Sequence, residues 1–303
     1  CSIMASTKIA AKPEAEDVKN PAYLKIRDVI YQVAGIYQPD EKLYLLASRC
    51  SRRMAVVNAN TPAEYLEHLT VRGNREAEMR LLLNEITIGE TYMFRSPPQL
   101  EALRNLILPQ ITKVKNAMGF KRLHVWSAGC STGEEPYTLA MFLQEESARQ
   151  LAGWTFDILA TDLNENSLNA AKAGIYGEYA LRSTTELLRK KYFKLYDDKR
   201  LQATDQLKSI IRFDRINLSD DRMMTFCKGL DVIFCCNVLI YFDLASKKRV
   251  MQHFYSNLLP GGYLFLGHAE SLYQVDDRFH LVHFPGTIGY WKPPIGYSGG
   301  GKK

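Results

Sequence analysis

The run Leu123-His-Val-Trp-Ser-Ala-Gly-Cys-Ser-Thr-Gly-Glu-Glu-Pro-Tyr137 passes from an apolar strand through a glycine-bearing turn into a helix whose first turn carries two carboxylates. Strand, glycine turn and helix in that order suit the start of an open, mostly parallel α/β sheet. Backbone N–H groups at such a helix start attract anions, and the dinucleotide fingerprint spaces its glycines so that a pyrophosphate can approach. Glu134 and Glu135 reverse the sign of that site. They repel a pyrophosphate and favour a nucleoside ligand that has no phosphate and carries positive charge. S-adenosyl-L-methionine, with its ammonium and sulfonium, has that chemistry. A second reading stands beside it: Ser131 followed by Glu134 makes a capping box, and the helix dipole alone favours acidic residues in a first turn.

From Lys121 onward apolar strands alternate with helices, which predicts a parallel sheet covered on both faces. Strands are read at Leu123 to Ala128, Phe156 to Ala160, Ile210 to Asn217, Leu230 to Cys236 and Gly262 to Leu266. His280 to His283 and Ile288 to Lys292, joined across Pro285-Gly286, predict an antiparallel edge hairpin. Tyr192 to Arg212 is a charged insertion with weak strand character, too long for a crossover loop. Ligands of such sheets sit outside the carboxyl ends of the strands. There, Gly129 and Gly133 permit close backbone approach. Asp162 suits two ribose hydroxyls, or else caps a helix near Asn164. Its separation from Gly129 exceeds the ~20 residues of the dinucleotide fingerprint. Asn217 and Leu218 offer adenine an amide and an apolar face, and Asn237 and Tyr241 follow the fourth strand.

Residues from about Pro21 to Leu83 show helical periodicity and no convincing strand, which predicts a small all-helical domain. Asp40 is the expected N-cap of a helix to about Asn58, with Leu43, Leu46, Ala47, Cys50, Met54 and Val57 as its apolar stripe. Lys42, Arg49, Arg52 and Arg53 fall off that stripe, and no acidic residue lies between Lys42 and Pro62. An unpaired basic face is therefore expected, either solvated or docking an acidic partner. Further helices are read from Thr61-Pro62 through Leu69 and from Glu76 to Asn84. Gly89 to Pro98 reads as a linker before a helix from Gln99 to about Ile111, and its Tyr92, Met93 and Phe94 are expected to pack on the next domain.

At 303 residues, 46% hydrophobic and 24% charged, the chain reads as globular protein of two domains. The net charge of +6 suits an acidic macromolecular partner without identifying nucleic acid. Six cysteines without a C-x-x-C pair or metal-ligand spacing point to reduced cytosol and no metal. The start, Cys-Ser-Ile-Met-Ala-Ser-Thr-Lys, lacks the basic and apolar regions of a signal peptide, and no apolar run is long enough to span a bilayer. The Ser, Gly and Lys stretch from Ser298 to Lys303 is expected to be frayed.

Thr91-Tyr-Met-Phe-Arg95, Ser127-Ala-Gly-Cys-Ser-Thr-Gly-Glu-Glu-Pro-Tyr137, Phe234-Cys-Cys-Asn-Val-Leu-Ile-Tyr-Phe242 and Gly267-His-Ala-Glu-Ser271 carry a resemblance that extends over about Pro21 to Pro293. Together they resemble the CheR-type chemotaxis receptor methyltransferases, which are protein-glutamate O-methyltransferases. The resemblance implies an α/β, Rossmann-like class I S-adenosylmethionine-dependent methyltransferase fold behind an all-helical domain. On this basis the organisation is a helical receptor-docking domain over 20–88, a linker and helix over 89–118, and a cofactor-binding catalytic domain over 119–294, with a small β-subdomain inserted at about 192–213. It also implies methyl transfer from S-adenosyl-L-methionine to glutamate side chains of methyl-accepting chemoreceptors, giving methyl esters and S-adenosyl-L-homocysteine.

Residue by residue, Thr91 and Arg95 match the cofactor-proximal linker, with Arg95 near the reacting carboxylate. Gly129 lies in the matched turn, and Glu134 matches the acidic residue near the methionine amino group. Asp162 matches the ribose ligand; Asn217 with Leu218, and Asn237 with Val238, match the remaining cofactor contacts; Tyr241 matches an active-site tyrosine. Lys42, Arg49, Arg52 and Arg53 resemble the receptor-facing helix, whose partner is the acidic cytoplasmic bundle of chemoreceptors. A cytoplasmic monomer recruited to membrane-bound receptor arrays is expected, with no nucleic-acid partner and no membrane insertion. The insertion corresponds to a subdomain that in some members binds a receptor pentapeptide by strand addition. Those members carry loop glycines, and Tyr196-Asp-Asp-Lys-Arg-Leu-Gln-Ala203 has none, which argues against a pentapeptide tether. Gly89, Met93 and Cys236 replace the family's usual asparagine, aromatic and arginine.

A glutamate acceptor has a reference pKa of ~4, so it needs no general base, and positioning is expected to carry the rate. Arg95 suits the holding of a carboxylate and Tyr241 the donation of a further hydrogen bond; the alternatives are that Arg95 neutralises a helix end and Tyr241 only packs. Two other functions remain open. One is methylation of nucleic acid or a small molecule, favoured by the positive charge and the Asn-x-x-x-Tyr spacing from Asn237. The other is a non-catalytic S-adenosylmethionine-binding signalling module, against which the intact Arg95 and Tyr241 speak.

Overall fold

The computed structural model describes residues 20–297, so the N-terminal stretch read for a signal and the run from Ser298 to Lys303 lie outside the described residues. Two compact units divide between Ile88 and Gly89. The first is helical: α1 (Pro21–Ala34), α2 (Leu43–Val57), α3 (Pro62–Thr70) and α4 (Arg75–Ile86). Its signals are local. Asn20 accepts the Ala22 N–H ahead of Pro21, and Thr61 accepts the Glu64 N–H ahead of Pro62. Ile26, Ile30, Leu46, Cys50, Tyr65 and Leu82 fill the core. Of the α2 stripe, Leu43, Leu46, Ala47 and Cys50 are buried, while Met54 and Val57 are half-buried.

Two expectations about α2 are corrected. Asp40 does not cap it; a 3₁₀ turn over Asp40–Lys42 intervenes, and the Asp40 carboxylate takes the Arg27 guanidinium instead. Nor is the basic face unpaired. Arg53 donates to both oxygens of Glu78 at 3.0 and 2.7 Å, and Arg52 donates to Glu85 at 3.1 Å. Both carboxylates come from α4, across the packing, where a charge count along α2 alone does not look. Only Lys42 and Arg49 of the four make no ion pair among the described residues.

The second unit opens with an aromatic strap over residues 89–96 and continues through α5 (Pro97–Ala102), a π turn at Leu103–Ile107 and α6 (Leu108–Ala117). Pro109 has no N–H for the Asn105 carbonyl, which is where the helical ladder loosens. Next come β1 (Arg122–Ala128), α7 (Glu134–Ser147), β2 (Thr155–Asp162), α8 (Glu165–Ala173), β3 (Ile175–Gly177), α9 (Glu178–Leu181), α10 (Glu186–Tyr192), β4 (Phe193–Leu195) and β5 (Arg200–Ala203). The unit closes with α11 (Asp205–Lys208), β6 (Ile211–Arg215), α12 (Asp221–Met224), β7 (Leu230–Cys235), α13 (Leu244–Asn257), β8 (Leu258–Leu266), β9 (His280–Phe284) and β10 (Thr287–Trp291).

The seven-stranded sheet has the order β6-β2-β1-β7-β8-β10-β9. Its first five strands are mutually parallel, and β10 and β9 form the antiparallel edge hairpin. Apolar residues cover both faces, with Tyr137, Phe142 and Phe265 in one core and Trp126, Phe254 and Leu264 in the other. This is the Rossmann-like arrangement expected. The smaller antiparallel sheet, β3-β5-β4, begins at Ile175 and so reaches ahead of the insertion bounds read from sequence. A three-residue strand has too little alternation to be legible. Among the described residues no helix is long and apolar enough to cross a membrane.

Candidate cofactor and active site

The carboxyl ends of β1, β2, β6, β7 and β8 lie along one edge of the sheet, and the turns leaving them build the site. After Ala128 the chain turns at Gly129 (φ 78°), and the N–H groups of Gly129 and Cys130 both donate to the Thr161 carbonyl, at 2.7 and 2.8 Å. A Cβ on Gly129 would stand 2.3 Å from a Val238 methyl, so glycine is what lets the β1 and β7 turns touch.

The capping box does not form. Ser131 adopts φ 48°, left-handed rather than extended, and its N–H donates to Asp162 Oδ2 at 2.8 Å. Gly133, at φ 96°, is the N-cap, and Glu134 begins α7. The Glu134 side chain is buried, accepts the Thr132 hydroxyl at 2.7 Å, and is pushed by burial above the usual carboxylate range against that hydrogen bond. Glu135 accepts the Ser127 hydroxyl at 2.7 Å. Burial pushes it up to about 7; hydrogen bonds from Ser127 and Cys236 and the charge of Arg95 oppose the shift, and Glu270 adds to it.

Asp162 accepts the N–H groups of Ser131 and Asn164, both at 2.8 Å, and so ties the end of β2 to the β1 turn. Enclosure raises its pKa while those N–H groups lower it. Asn164, not Asp162, caps α8. After β6, Asn217 Oδ1 accepts the Ser219 N–H at 3.0 Å and Leu218 is buried. After β7, Asn237 takes a left-handed backbone (φ 61°), Val238 packs on Gly129, and Tyr241 ends a 3₁₀ turn over Leu239–Tyr241. Burial, then the nearby negative charges of Asp162 and Glu270, raise the Tyr241 hydroxyl, so it stays a proton donor at neutral pH.

The strap packs on this unit as expected. Met93 is fully buried and donates its N–H to the Ala180 carbonyl at 3.0 Å, and the Phe94 N–H donates to the Thr138 hydroxyl at 3.0 Å. Thr91 is half-buried. Arg95 is exposed, with one guanidinium nitrogen on the Glu90 carbonyl at 2.7 Å. Lys42, Arg49, Arg52 and Arg53 belong to the other unit.

Glu270 is the residue that sequence reasoning passed over. Its carboxylate, 6% exposed, accepts the N–H groups of Asn237 and Gly267 at 2.7 Å each and of Ile240 at 3.3 Å. It therefore fixes the whole turn that carries Asn237 and Tyr241. Gly267 has no room for a side chain, since a Cβ there would lie 2.7 Å from Glu270 Oε2 and 2.8 Å from the Asn237 N–H nitrogen. The signal available was the acidic residue inside Gly267-His-Ala-Glu-Ser271, quoted above without a role.

Among the described residues no ion pair neutralises Glu134 or Asp162. Two such carboxylates beside one turn reject a phosphate and suit a ligand bearing an ammonium and vicinal hydroxyls, which is the chemistry of S-adenosyl-L-methionine. Comparison with known proteins agrees. Residues 89–288 match the CheR methyltransferase SAM-binding domain, and residues 21–87 match the CheR methyltransferase all-alpha domain. Chemotaxis protein methyltransferase 2 of Vibrio cholerae serotype O1 is 34% identical over 276 residues, covering 91% of this chain and 94% of its own. The chemotaxis protein methyltransferase of Borreliella burgdorferi is 35% identical over 245 residues, covering 80% and 86%. Chemotaxis protein methyltransferase 1 of Pseudomonas aeruginosa is 33% identical over 275 residues, covering 89% and 97%. With two adjoining domain matches and relatives aligned nearly end to end, this chain belongs to the CheR methyltransferase family and is an S-adenosylmethionine-dependent methyltransferase of chemotaxis.

Proposed function

We propose that the chain methylates glutamate side chains on the cytoplasmic helical bundle of chemoreceptors, and that the residues gathered at the strand ends carry this reaction. The observation that carries the reading is an exposed guanidinium, Arg95, on a strap anchored to the same unit as a tyrosine hydroxyl, Tyr241, that stays protonated. That combination receives a carboxylate and has no use for a general base. Glu134 would face the ammonium of the cofactor and Asp162 its ribose hydroxyls, with Gly129 leaving the turn open. Asn217 and Leu218 would meet the adenine, and Thr91, Asn237 and Val238 would line the remaining edges.

When bound, S-adenosyl-L-methionine supplies a methyl group on a sulfonium, an electrophile that needs no further activation. The acceptor carboxylate is ionised at neutral pH, its reference pKa being ~4.3. Arg95 would hold one carboxylate oxygen and leave the other free to react, and Tyr241 would donate to the held oxygen. The transfer would exchange a carbon–sulfur bond for a carbon–oxygen bond, with no proton for the protein to move. Catalysis then comes from orientation, an effect that supplies several kcal/mol in well-aligned systems.

Lys42 and Arg49, unpaired among the described residues, are the steering charges for an acidic bundle, whereas Arg53 is committed to Glu78. Cytoplasmic location, recruitment to receptor arrays and a monomeric state are part of this proposal. Turnover of Arg95→Ala at saturating receptor and cofactor tests it. A large loss in kcat supports the assignment; a wild-type rate overturns it.

A further inference from the structure

The strap that carries Arg95 is clamped on its outer side by residues with no part in the site so far. The Arg182 guanidinium lies between two aromatic rings, 3.5 Å from the centroid of Tyr92 and 3.8 Å from that of Tyr179. Tyr92 belongs to the strap, and Tyr179 belongs to α9 at the start of the inserted subdomain. The Tyr179 hydroxyl donates to the Glu90 carboxylate, and the Glu90 carbonyl in turn accepts from Arg95. Beside them the Met93 N–H reaches Ala180. Three strap residues, 90, 92 and 93, are thus fastened to one turn of helix, and Arg95 is the next side chain along to need a direction.

We propose that Arg182 is a positioning residue for the methyl-transfer reaction, aligning Arg95 through the stacked Tyr92 and the Tyr179–Glu90 hydrogen bond. Met93 is buried and anchors the strap's backbone whatever happens outside it, but it leaves the rotation of residues 90–92 open. The stack closes that freedom. A planar guanidinium can lie flat on both rings at once, whereas an ammonium offers a point charge. The same contacts join Arg95 to the subdomain, because Arg189 of α10 pairs with Glu178 of α9 and donates to the Leu181 carbonyl.

The inference rests on the role proposed for Arg95, and a double-mutant cycle separates the two. Receptor methylation is measured at saturating substrates for the wild type, Arg182→Ala, Arg95→Ala and the double variant, with thermal unfolding recorded for each. Arg182→Ala is expected to lower kcat about tenfold, equivalent to ~1.4 kcal/mol, the size of two exposed cation–π contacts. Both contacts are also lost from the resting fold, so its melting temperature should fall by a few degrees only, leaving the variant folded at the assay temperature. Arg182→Lys is expected to recover part of the rate. In the Arg95→Ala background, removing Arg182 should change the rate less than twofold. A slow Arg95→Ala with a full further tenfold loss in the double variant overturns this inference alone. An Arg95→Ala of wild-type activity overturns the assignment of Arg95 and the inference with it.

Discussion

Glu270 offers the sharpest test of how the site is held. Its carboxylate collects three backbone N–H groups, two at 2.7 Å and one at 3.3 Å, and is 6% exposed. Replacing it by alanine leaves those donors without a protein acceptor, at about 1–3 kcal/mol for each one that water does not rescue. If water rescues part of them, a total of about 3–5 kcal/mol is expected, or a fall in melting temperature of roughly 6–20 °C for a unit of this size. Glu270→Gln is milder. Its amide oxygen keeps Asn237 and Gly267, while its NH₂ turns toward the weaker Ile240 donor, so about 1–2 kcal/mol is lost. Denaturant unfolding separates the two variants, with midpoints falling in the order wild type, Gln, Ala and an unchanged m-value. Calorimetric titration with S-adenosyl-L-homocysteine should show weakened binding in the same order, because Asn237 and Val238 ride on that turn. If both variants unfold within about 0.5 kcal/mol of the wild type, the turn is held by something else and the reasoning fails.

Three further outcomes follow from the same physics. Glu135, pushed up to about 7 from a free-glutamate pKa of ~4.3, is protonated in the fold and ionised in the unfolded chain between those values. The native state therefore binds more protons there, and stability should fall as pH rises through that window, by on the order of 3 kcal/mol. Glu135→Gln should flatten that part of the stability curve, and an unchanged slope would contradict the assignment. Arg53→Ala leaves the buried Glu78 charge with only the Tyr65 hydroxyl and should cost about 3 kcal/mol, whereas Arg52→Ala, at an exposed pair, should cost about 0–1 kcal/mol; equal effects would refute the distinction. A Lys42→Glu, Arg49→Glu double variant should raise the receptor KM and steepen its response to salt while leaving cofactor affinity alone, and a change in cofactor affinity would count against a docking role.

What the sequence made legible had short range. The strands of the large sheet lie within a few residues of their apolar runs, because a doubly covered parallel sheet writes its burial into consecutive residues. Thr61-Pro62 starts a helix through equally local chemistry, a capping hydroxyl followed by a proline that has no N–H to satisfy. Pairings across the fold were hidden. Arg53 and Arg52 read as free because Glu78 and Glu85 arrive from another helix, and Ser131 reads as a cap because nothing local announces its left-handed backbone or the Asp162 carboxylate that its N–H meets at the end of β2. Glu270 was unreadable for a similar reason, since its partners lie a strand and a helix away, at Asn237 and Ile240. The polar groups at the strand ends, Asp162, Asn217 and Asn237, were legible; the hydrogen bonds that orient them were not.

The chemical lability of the product distinguishes a carboxylate acceptor from every other. The protein is incubated with methyl-labelled S-adenosyl-L-methionine and receptor-bearing membranes, and the labelled receptor is treated with mild alkali. A glutamyl methyl ester releases its label as volatile methanol, so the account predicts near-complete release, from wild type and not from Arg95→Ala. Label that survives alkali would mean methylation at nitrogen, carbon or an ether oxygen, and would contradict the account.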